Sequence, residues 1–275
     1  MFYATGPNGF DKDENEAARL WRLAADAGHS GAQCRLAMFY ANGQAGLAKD
    51  EREAVRLLSL AASQGHAEAQ CFLGRYYETG QGGVERDERE AARLYRPAAE
   101  QGLAESQCWL GLCYLDGKGV VKDEKEAVKL LQRAADQGLP VAMDHLGLCF
   151  LAGRGGLAKG DLKREAVRQF RRAAELGYDA AQCNLGRCYF LGLGVQKDEK
   201  KGAGLFRLAA KQGNPTAQCL LGKCYLLGLG GMQKDDCEAR RLFTLAAEKG
   251  NAEAQRLLAG EHDDAGVLLT PGFSV

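Results

Sequence analysis

Several features that would place this chain of 275 residues in a familiar class of protein are scarce or missing. Only 5 prolines accompany 36 glycines, which excludes a collagen-like or proline-rich chain. Lys plus Arg and Asp plus Glu both total 36, whereas proteins that bind nucleic acid normally carry an excess of basic residues. No stretch approaches the roughly 18–20 apolar residues of a membrane span, and the first residues lack the pattern of a signal peptide. We therefore expect no nucleic-acid partner, no membrane insertion and a cytoplasmic location.

Serine and histidine are also scarce, and this limits the enzymatic chemistry that the chain could perform. The chain has only five serines, and none has lysine three residues later or lies in a Gly-x-Ser-x-Gly setting, so the serine acyl-transfer motifs are missing. The four histidines, His29, His66, His145 and His262, do not lie at zinc-ligand spacing from cysteines. We expect histidines at helix starts or on the surface, no metal site, no cofactor and no enzymatic activity.

The sequence is dominated instead by an internal repeat. The motif Ala-Ala-x-x-Gly recurs with a spacing of 36 or 37 residues, apart from one step of 39. It occurs at Ala24–Gly28, Ala61–Gly65, Ala98–Gly102, Ala134–Gly138, Ala173–Gly177, Ala209–Gly213 and Ala246–Gly250. A period of this length is typical of stacked supersecondary units that bury one another's apolar faces.

Two helices are predicted in each unit. In the second helix, Ala54, Leu57, Leu58 and Ala61 fall at i, i+3, i+4 and i+7, the spacing of one buried helical face. Before these helices, aspartate is followed three residues later by glutamate, which predicts a reciprocal capping box. The pairs are Asp13/Glu16, Asp50/Glu53, Asp87/Glu90, Asp123/Glu126 and Asp235/Glu238. The glycine of Ala-Ala-x-x-Gly predicts a left-handed helix end.

Five of the six first helices carry a leucine and a tyrosine four residues apart, and five carry a glycine directly after the leucine, as in Leu73, Gly74 and Tyr77. A glycine inside a helix costs about 1 kcal/mol relative to alanine. Its recurrence predicts that a neighbouring helix approaches too closely for a side chain. The equivalent glycines are Gly111, Gly147, Gly186 and Gly222.

The complete pattern, Ala-Gln-x-x-Leu-Gly-x-x-Tyr-x-x-Gly, then Gly-Val-x-Lys-Asp and Ala-Ala-x-x-Gly, resembles the Sel-1-like repeat, a relative of the tetratricopeptide repeat. The resemblance covers roughly residues 2–260 and implies an all-α fold, a right-handed α/α superhelical solenoid of stacked antiparallel helix pairs. We expect one domain over residues 1–260, with a partial unit at each end, and a flexible tail over 261–275. Six complete pairs are predicted to begin near Ser30, Ala67, Ala104, Pro140, Asp179 and Pro215. The chain opens inside a unit that lacks its first helix, and self-association through this unpaired edge is possible.

Nine of the ten cysteines lie in the first helices, at two repeated positions. Equivalent cysteines in stacked units would be about 9–10 Å apart, whereas a disulfide needs Cα atoms closer than about 7 Å. The resemblance adds that cysteine-rich secreted relatives link a second helix to the next first helix, but that position holds alanine here, as at Ala62, Ala99 and Ala135. We expect reduced, small packing residues, with metal or redox use as the alternative.

The resemblance implies a non-enzymatic scaffold or adaptor that binds a protein or peptide on its concave face, which the first helices line. The positions that point outward are mixed early in the chain, with Met38, Ala41, Arg75 and Glu78. Later they become an apolar stripe with two basic residues: Leu112, Leu115, Leu148, Leu151, Arg187, Phe190, Lys223 and Leu226. We expect this stripe to bind the partner; the alternative is that its side chains are buried against the adjacent unit. The alternative function is a weak β-lactamase-like hydrolase, as in cysteine-rich relatives, which a nitrocefin assay would distinguish.

Overall fold

A computed structural model describes residues 14–156 and 161–260, and the regular structure of these ranges is entirely helical. The α-helices are α1 (Glu14–Asp26), α2 (Ser30–Asn42), α3 (Glu51–Ser63), α4 (Ala67–Thr79), α5 (Glu88–Glu100), α6 (Ala104–Asp116), α7 (Glu124–Asp136), α8 (Pro140–Ala152), α9 (Leu162–Glu175), α10 (Asp179–Leu191), α11 (Glu199–Lys211), α12 (Pro215–Leu227), α13 (Asp236–Glu248) and α14 (Ala252–Leu258). A short 3-10 helix covers Arg154–Gly156. The first helices of the six expected pairs begin at the residues that the repeat predicts.

The chain divides into two compact units, Met1–Leu130 and Leu131–Val275, which we call unit 1 and unit 2. In unit 1, each helix from α1 to α5 packs on the next helix along the chain, and the same holds from α8 to α13 in unit 2. The expected single domain over 1–260 stays a prediction. Of the partial unit at the N-terminal edge, α1 belongs to the described residues. Residues 1–13 and the tail over 261–275 lie outside them.

The capping-box prediction is correct for the aspartate and wrong for the glutamate. Asp50 accepts a hydrogen bond from the Glu53 amide at 3.0 Å, so its side chain caps α3. The reciprocal bond is replaced because the Asp50 amide donates to the Tyr40 carbonyl of the preceding helix at 2.9 Å. The Glu53 carboxylate instead accepts two bonds from Arg56, at 2.7 and 2.8 Å. The first helix therefore takes over the role predicted for the glutamate.

The prediction of a left-handed helix end is confirmed, and the prediction of a close helix approach is confirmed at four of the five helical glycines. Gly65 ends α3 with φ +83°, and its amide donates to the Ala62 carbonyl at 2.9 Å. Inside α4, a Cβ on Gly74 would lie 2.6 Å from the ring of Tyr95 on α5. Equivalent close approaches join Gly147 to Phe170, Gly186 to Phe206 and Gly222 to Phe243. Each glycine therefore makes room for a large aromatic ring in the helix pair.

Glutamines, most of them buried, connect first helices to the preceding second helices. The Gln70 side-chain amide donates to the Ala62 carbonyl at 3.3 Å, near the C-terminal end of α3, where carbonyl groups lack helical partners. Equivalent bonds join Gln33 to Ala25, Gln107 to Ala99, Gln182 to Ala174, Gln218 to Ala210 and Gln255 to Ala247. Met143 occupies this position in α8 and has no such donor; the Ala135 carbonyl accepts from Arg172 instead, at 3.2 Å. The Ala-Gln of the repeat thus fixes the register between successive helix pairs.

Candidate functional site

The eight side chains predicted to bind a partner are mostly buried. Five of them are only 2% to 7% exposed: Leu115, Leu148, Arg187, Phe190 and Lys223. The other three, Leu112, Leu151 and Leu226, are partly exposed. The expectation of an exposed stripe is therefore wrong for five positions, where the alternative of burial applies. Partner binding through the remaining three stays a prediction.

Phe190 is buried because its helical position faces the second helix of its own pair. Its ring stacks on Phe206 of α11, with the ring centroids 5.9 Å apart. Glu78 occupies the equivalent position in α4 and accepts a hydrogen bond from the hydroxyl of buried Tyr95 at 2.8 Å. Phe190 and Glu78 therefore contact the second helix of their own pair. Leu151 and Leu226, at the same helical position, are partly exposed.

The two basic residues of the predicted stripe are buried in unit 2. Lys223 donates to Glu253 of α14, and only 5% of its side chain is exposed. Burial lowers the pKa of the Arg187 guanidinium below its usual range. Because the Lys223 ammonium is paired within the fold, it serves to join α12 to α14 and does not present a charge to solvent.

Unit 1 contains an open cavity of about 680 Å³, which we call the first-helix groove. Its walls come mainly from α2, α4 and α6, the first helices of three successive pairs. The lining residues are Trp21, Cys34, Arg35, Met38, Phe39, Asn42, Gln44, Glu68, Cys71, Phe72, Arg75, Leu103, Glu105 and Trp109. A volume of this size is within the range of about 300–1,000 Å³ that is common for ligand pockets.

Aromatic side chains give the groove its apolar surface. Trp21, Phe39, Phe72 and Trp109 all line it, and each is only partly buried. Large aromatic groups dominate the energetics of interfaces because they remove much area from water at a small cost in side-chain entropy. Both tryptophans of the chain lie in this groove.

Four exposed charged side chains surround these rings: Arg35, Arg75, Glu68 and Glu105. The Arg75 guanidinium carbon lies 5.4 Å from the centroid of the Trp109 ring, which is a cation–π geometry. The groove therefore presents an aromatic floor together with two groups of each charge.

The cysteines pack as predicted. Nine are buried, and Cys237 is exposed. Burial raises the pKa of the Cys108 and Cys183 thiols to about 12, so both are protonated and unreactive at neutral pH. The role of small packing residue is confirmed for the nine buried cysteines.

Asp144 takes the place of the repeated cysteine in α8 and is 4% exposed. Asn184 donates a hydrogen bond to its carboxylate at 2.9 Å. Burial raises the pKa of Asp144 to about 6, in spite of this hydrogen bond. The substitution introduces a titratable group into the interior of unit 2.

Three potential metal ligands lie together at the edge of the first-helix groove. They are the Cys34 thiol of α2, the His66 imidazole at the N-cap of α4 and the Glu68 carboxylate in the first turn of α4. Their ligand atoms all lie within 4.8 Å of one another. Sequence spacing did not reveal this cluster because Cys34 and His66 belong to successive helix pairs and lie 32 residues apart.

The stacked helix pairs and the glutamine links between them define an α-solenoid repeat protein. A family profile described as "Sel1 repeat" matches residues 1–29, 30–66, 67–103, 104–139, 140–178, 179–214 and 215–251. The chain belongs to the Sel1 repeat family, whose fold generally serves as a non-catalytic scaffold. The recognition and fold class expected from the sequence, an all-α solenoid of stacked helix pairs, are confirmed.

Two solved structures show this relationship directly. The protective antigen c5321 of uropathogenic Escherichia coli is 32% identical, with a TM-score of 0.71 over 96% of this chain. This chain spans only 55% of that antigen. A Sel1 repeat protein from Oxalobacter formigenes is 30% identical, with a TM-score of 0.68 over 91% of this chain and 88% of its own length.

A more distant structure shares the fold alone. The immunity protein Pa5087 from Pseudomonas aeruginosa is 20% identical, with a TM-score of 0.52 over 94% of this chain and 90% of its own. Comparison with curated proteins gave no match. Within residues 14–156 and 161–260, every helix is too short or too polar to cross a membrane.

Proposed function

We propose that this chain is a non-enzymatic scaffold that binds a segment of a partner polypeptide in the first-helix groove of unit 1. The observation that carries this proposal is the set of four partly exposed aromatic side chains in one open cavity of about 680 Å³. Sel1 repeat proteins typically bind proteins, which supports the same class of function. The proposed binding surface therefore lies on α2, α4 and α6 and replaces the stripe that the sequence predicted from Leu112 to Leu226.

The chemistry of the groove specifies the kind of peptide that fits it. A large apolar side chain of the partner would pack among Phe39, Phe72 and Trp109, where it is removed from water. An acidic residue of the partner can pair with Arg35 or Arg75, and a basic residue with Glu68 or Glu105. The expected ligand is therefore a short segment with an apolar anchor and flanking charges of both signs.

Tryptophan fluorescence can test this proposal without a known partner. Peptides selected from a random library against the intact, reduced chain are titrated while tryptophan emission is recorded. Because both tryptophans line the groove, a bound peptide changes the emission directly. The enriched peptides should share an apolar anchor, and the titration should saturate.

A pair of variants locates the binding site. Phe72→Ser removes an aromatic wall and should weaken binding by about 30-fold or more, the effect of losing an interface residue worth about 2 kcal/mol. Leu60→Ser is the matched control, since Leu60 is 42% exposed on α3 and does not line the groove. Selected peptides that bind Phe72→Ser as tightly as the parent protein contradict the proposal.

Other expectations from the sequence remain proposals. A cytoplasmic location is supported by the nine buried thiols, which suit a reducing compartment. Self-association through the N-terminal edge involves residues outside the described part of the chain, and light scattering would test it. No observation favours the β-lactamase-like hydrolase, which nitrocefin turnover by contaminant-free protein would support.

A further inference from the structure

We propose that Cys34, His66 and Glu68 form a site for a divalent transition metal, with Zn²⁺ as the expected ion. Metal binding at this site does not require a bound peptide. Its basis is the convergence of a thiol, an imidazole and a carboxylate whose ligand atoms all lie within 4.8 Å of one another.

The distances require only a small rearrangement. In a tetrahedral zinc site, bonds of about 2.0–2.3 Å place neighbouring ligand atoms about 3.5 Å apart. Cys34 is held in the core, whereas Glu68 is exposed and its side chain can rotate. The exposed glutamate can therefore supply most of the movement that closes the site.

His66 is available as a ligand at little cost. Its Nδ1 accepts a hydrogen bond from the Ala69 amide at a long 3.3 Å, and metal binding through the imidazole gives up this one weak bond. The fold does not need the bond at this position, because Leu103 and Tyr178 occupy the equivalent N-caps and form no side-chain cap. Gly31 does not crowd the imidazole, since even a Cβ added at Gly31 would lie 3.7 Å from His66 Nε2.

The charges of the three ligands match a divalent ion. A thiolate and a carboxylate together neutralise two positive charges, and the imidazole binds as a neutral ligand. Burial first, and then the charge of Glu68, raises the pKa of the Cys34 thiol to about 11, so the metal must displace its proton. One sulfur–hydrogen bond breaks, one sulfur–metal bond forms, and one proton passes to the buffer.

The mixture of sulfur, nitrogen and oxygen ligands selects the type of metal. Zn²⁺ binds all three, whereas Mg²⁺ and Ca²⁺ prefer oxygen ligands alone. Cys34 and Glu68 also line the first-helix groove, so the fourth coordination position of a tetrahedral ion would open toward it. Water, or a side chain of a bound peptide, would complete the coordination.

The chain contains an internal comparison for this site. Cys71 and Glu105 repeat the cysteine and the glutamate one helix pair later, but the residue at the histidine position is Leu103. Cys219 and Glu253 repeat them in unit 2, where Lys223 pairs with the glutamate. Among the described residues, the imidazole joins this pair at Cys34 alone.

The test uses the full reduced chain with Cys237→Ser, which removes the exposed thiol. Zn²⁺ is titrated by calorimetry in two buffers of different ionisation enthalpy, and Co²⁺ is added while thiolate-to-cobalt absorption is recorded. We expect one Zn²⁺ per chain, release of one proton and a cobalt–thiolate band. His66→Leu and Glu68→Gln should each weaken binding about tenfold or more, and Cys34→Ser should abolish the cobalt–thiolate band.

Cys219→Ser is the matched control, because Cys219 is the equivalent buried cysteine in unit 2 and does not line the groove. It should leave binding unchanged, and circular dichroism confirms that each variant is folded. Glu68 is exposed, so Glu68→Gln tests the site even where Cys34→Ser disturbs packing. Absence of a cobalt–thiolate band in the parent protein overturns the proposal. So does a band that survives in Cys34→Ser, because the thiolate would then come from another cysteine.

Discussion

A methyl group added at Gly74 tests whether the repeated glycine exists to make room for an aromatic ring. In Gly74→Ala, the new Cβ would lie 2.6 Å from Cε1 and 2.9 Å from Cδ1 of Tyr95, closer than such atoms pack. The ring has little freedom to move because Tyr95 is 0% exposed and its hydroxyl is hydrogen-bonded to Glu78. The matched change is Gly204→Ala in α11, where nothing lies within 4 Å of the added Cβ.

The magnitude follows from two opposing effects. Alanine improves helix propensity by about 1 kcal/mol at either position. Overpacking at Gly74 costs about 1–3 kcal/mol, so we expect Gly74→Ala to be up to about 2 kcal/mol less stable than the parent. Gly204→Ala should be up to about 1 kcal/mol more stable. Because the propensity effect is common to both, the difference between the two variants measures the steric effect of the ring.

Urea unfolding followed by circular dichroism measures these stabilities, and a double variant identifies the cause. Ala37 and Leu58 occupy the equivalent positions of the preceding pair and lie in one core cluster, so alanine is compatible with leucine. Adding Tyr95→Leu should therefore cost less in the Gly74→Ala background than in the parent. Equal stabilities for Gly74→Ala and Gly204→Ala, or strictly additive effects in the double variant, would refute this explanation of the glycine.

Two further predictions concern unit 2. Phe190→Asp should unfold the pair α10 and α11, since removal of a buried phenylalanine costs about 3–5 kcal/mol and an unpaired carboxylate adds to this cost. Leu226→Asp changes a partly exposed residue and should keep its helical circular dichroism. A folded Phe190→Asp would contradict the burial of Phe190. Burial raises the pKa of Asp144 from 3.8 to about 6, so its ionisation should destabilise the fold progressively from about pH 4 to pH 6, by about 3 kcal/mol above that range. Asp144→Asn keeps an oxygen that can accept from Asn184, so its unfolding midpoint should exceed that of the parent at pH 7 and not at pH 4; an equal gain at both values would show that ionisation is not the cause.

Helix positions could be predicted from the sequence because the signals for them are local. The capping aspartates and the closing glycines bond to amide and carbonyl groups within a few residues, so their spacing marks each helix end. Even so, the predicted partner of Glu53 was wrong, because the carbonyl of Tyr40 from the preceding helix competes for the same backbone amide. A repeat motif does not reveal such a contact between helices.

The binding surface was harder to predict because it depends on which side of a first helix faces the next helix. The position of Phe190 faces the second helix of its pair, although helical spacing alone gives no sign of this. Phe72 and Trp109 directly follow the repeated cysteine, one turn before Arg75 and Leu112. Aromatic residues at this repeated position are the sequence signal that could have indicated the groove. The cluster of Cys34 and His66 could not be predicted because it depends on how two successive helix pairs stack. Sequence separation does not give the distances that this stacking fixes.

The glutamine links between helix pairs affect how this architecture can change over time. In each link, the side chain of one copy is bonded to a main-chain carbonyl of the copy before it, as Gln70 is to Ala62. A carbonyl group is present whatever amino acid occupies that position, so the joint places little demand on the identity of the adjoining copy. Duplication or deletion of a whole copy would leave a joint of the same chemistry, and the number of copies can therefore vary while the exposed side chains diverge.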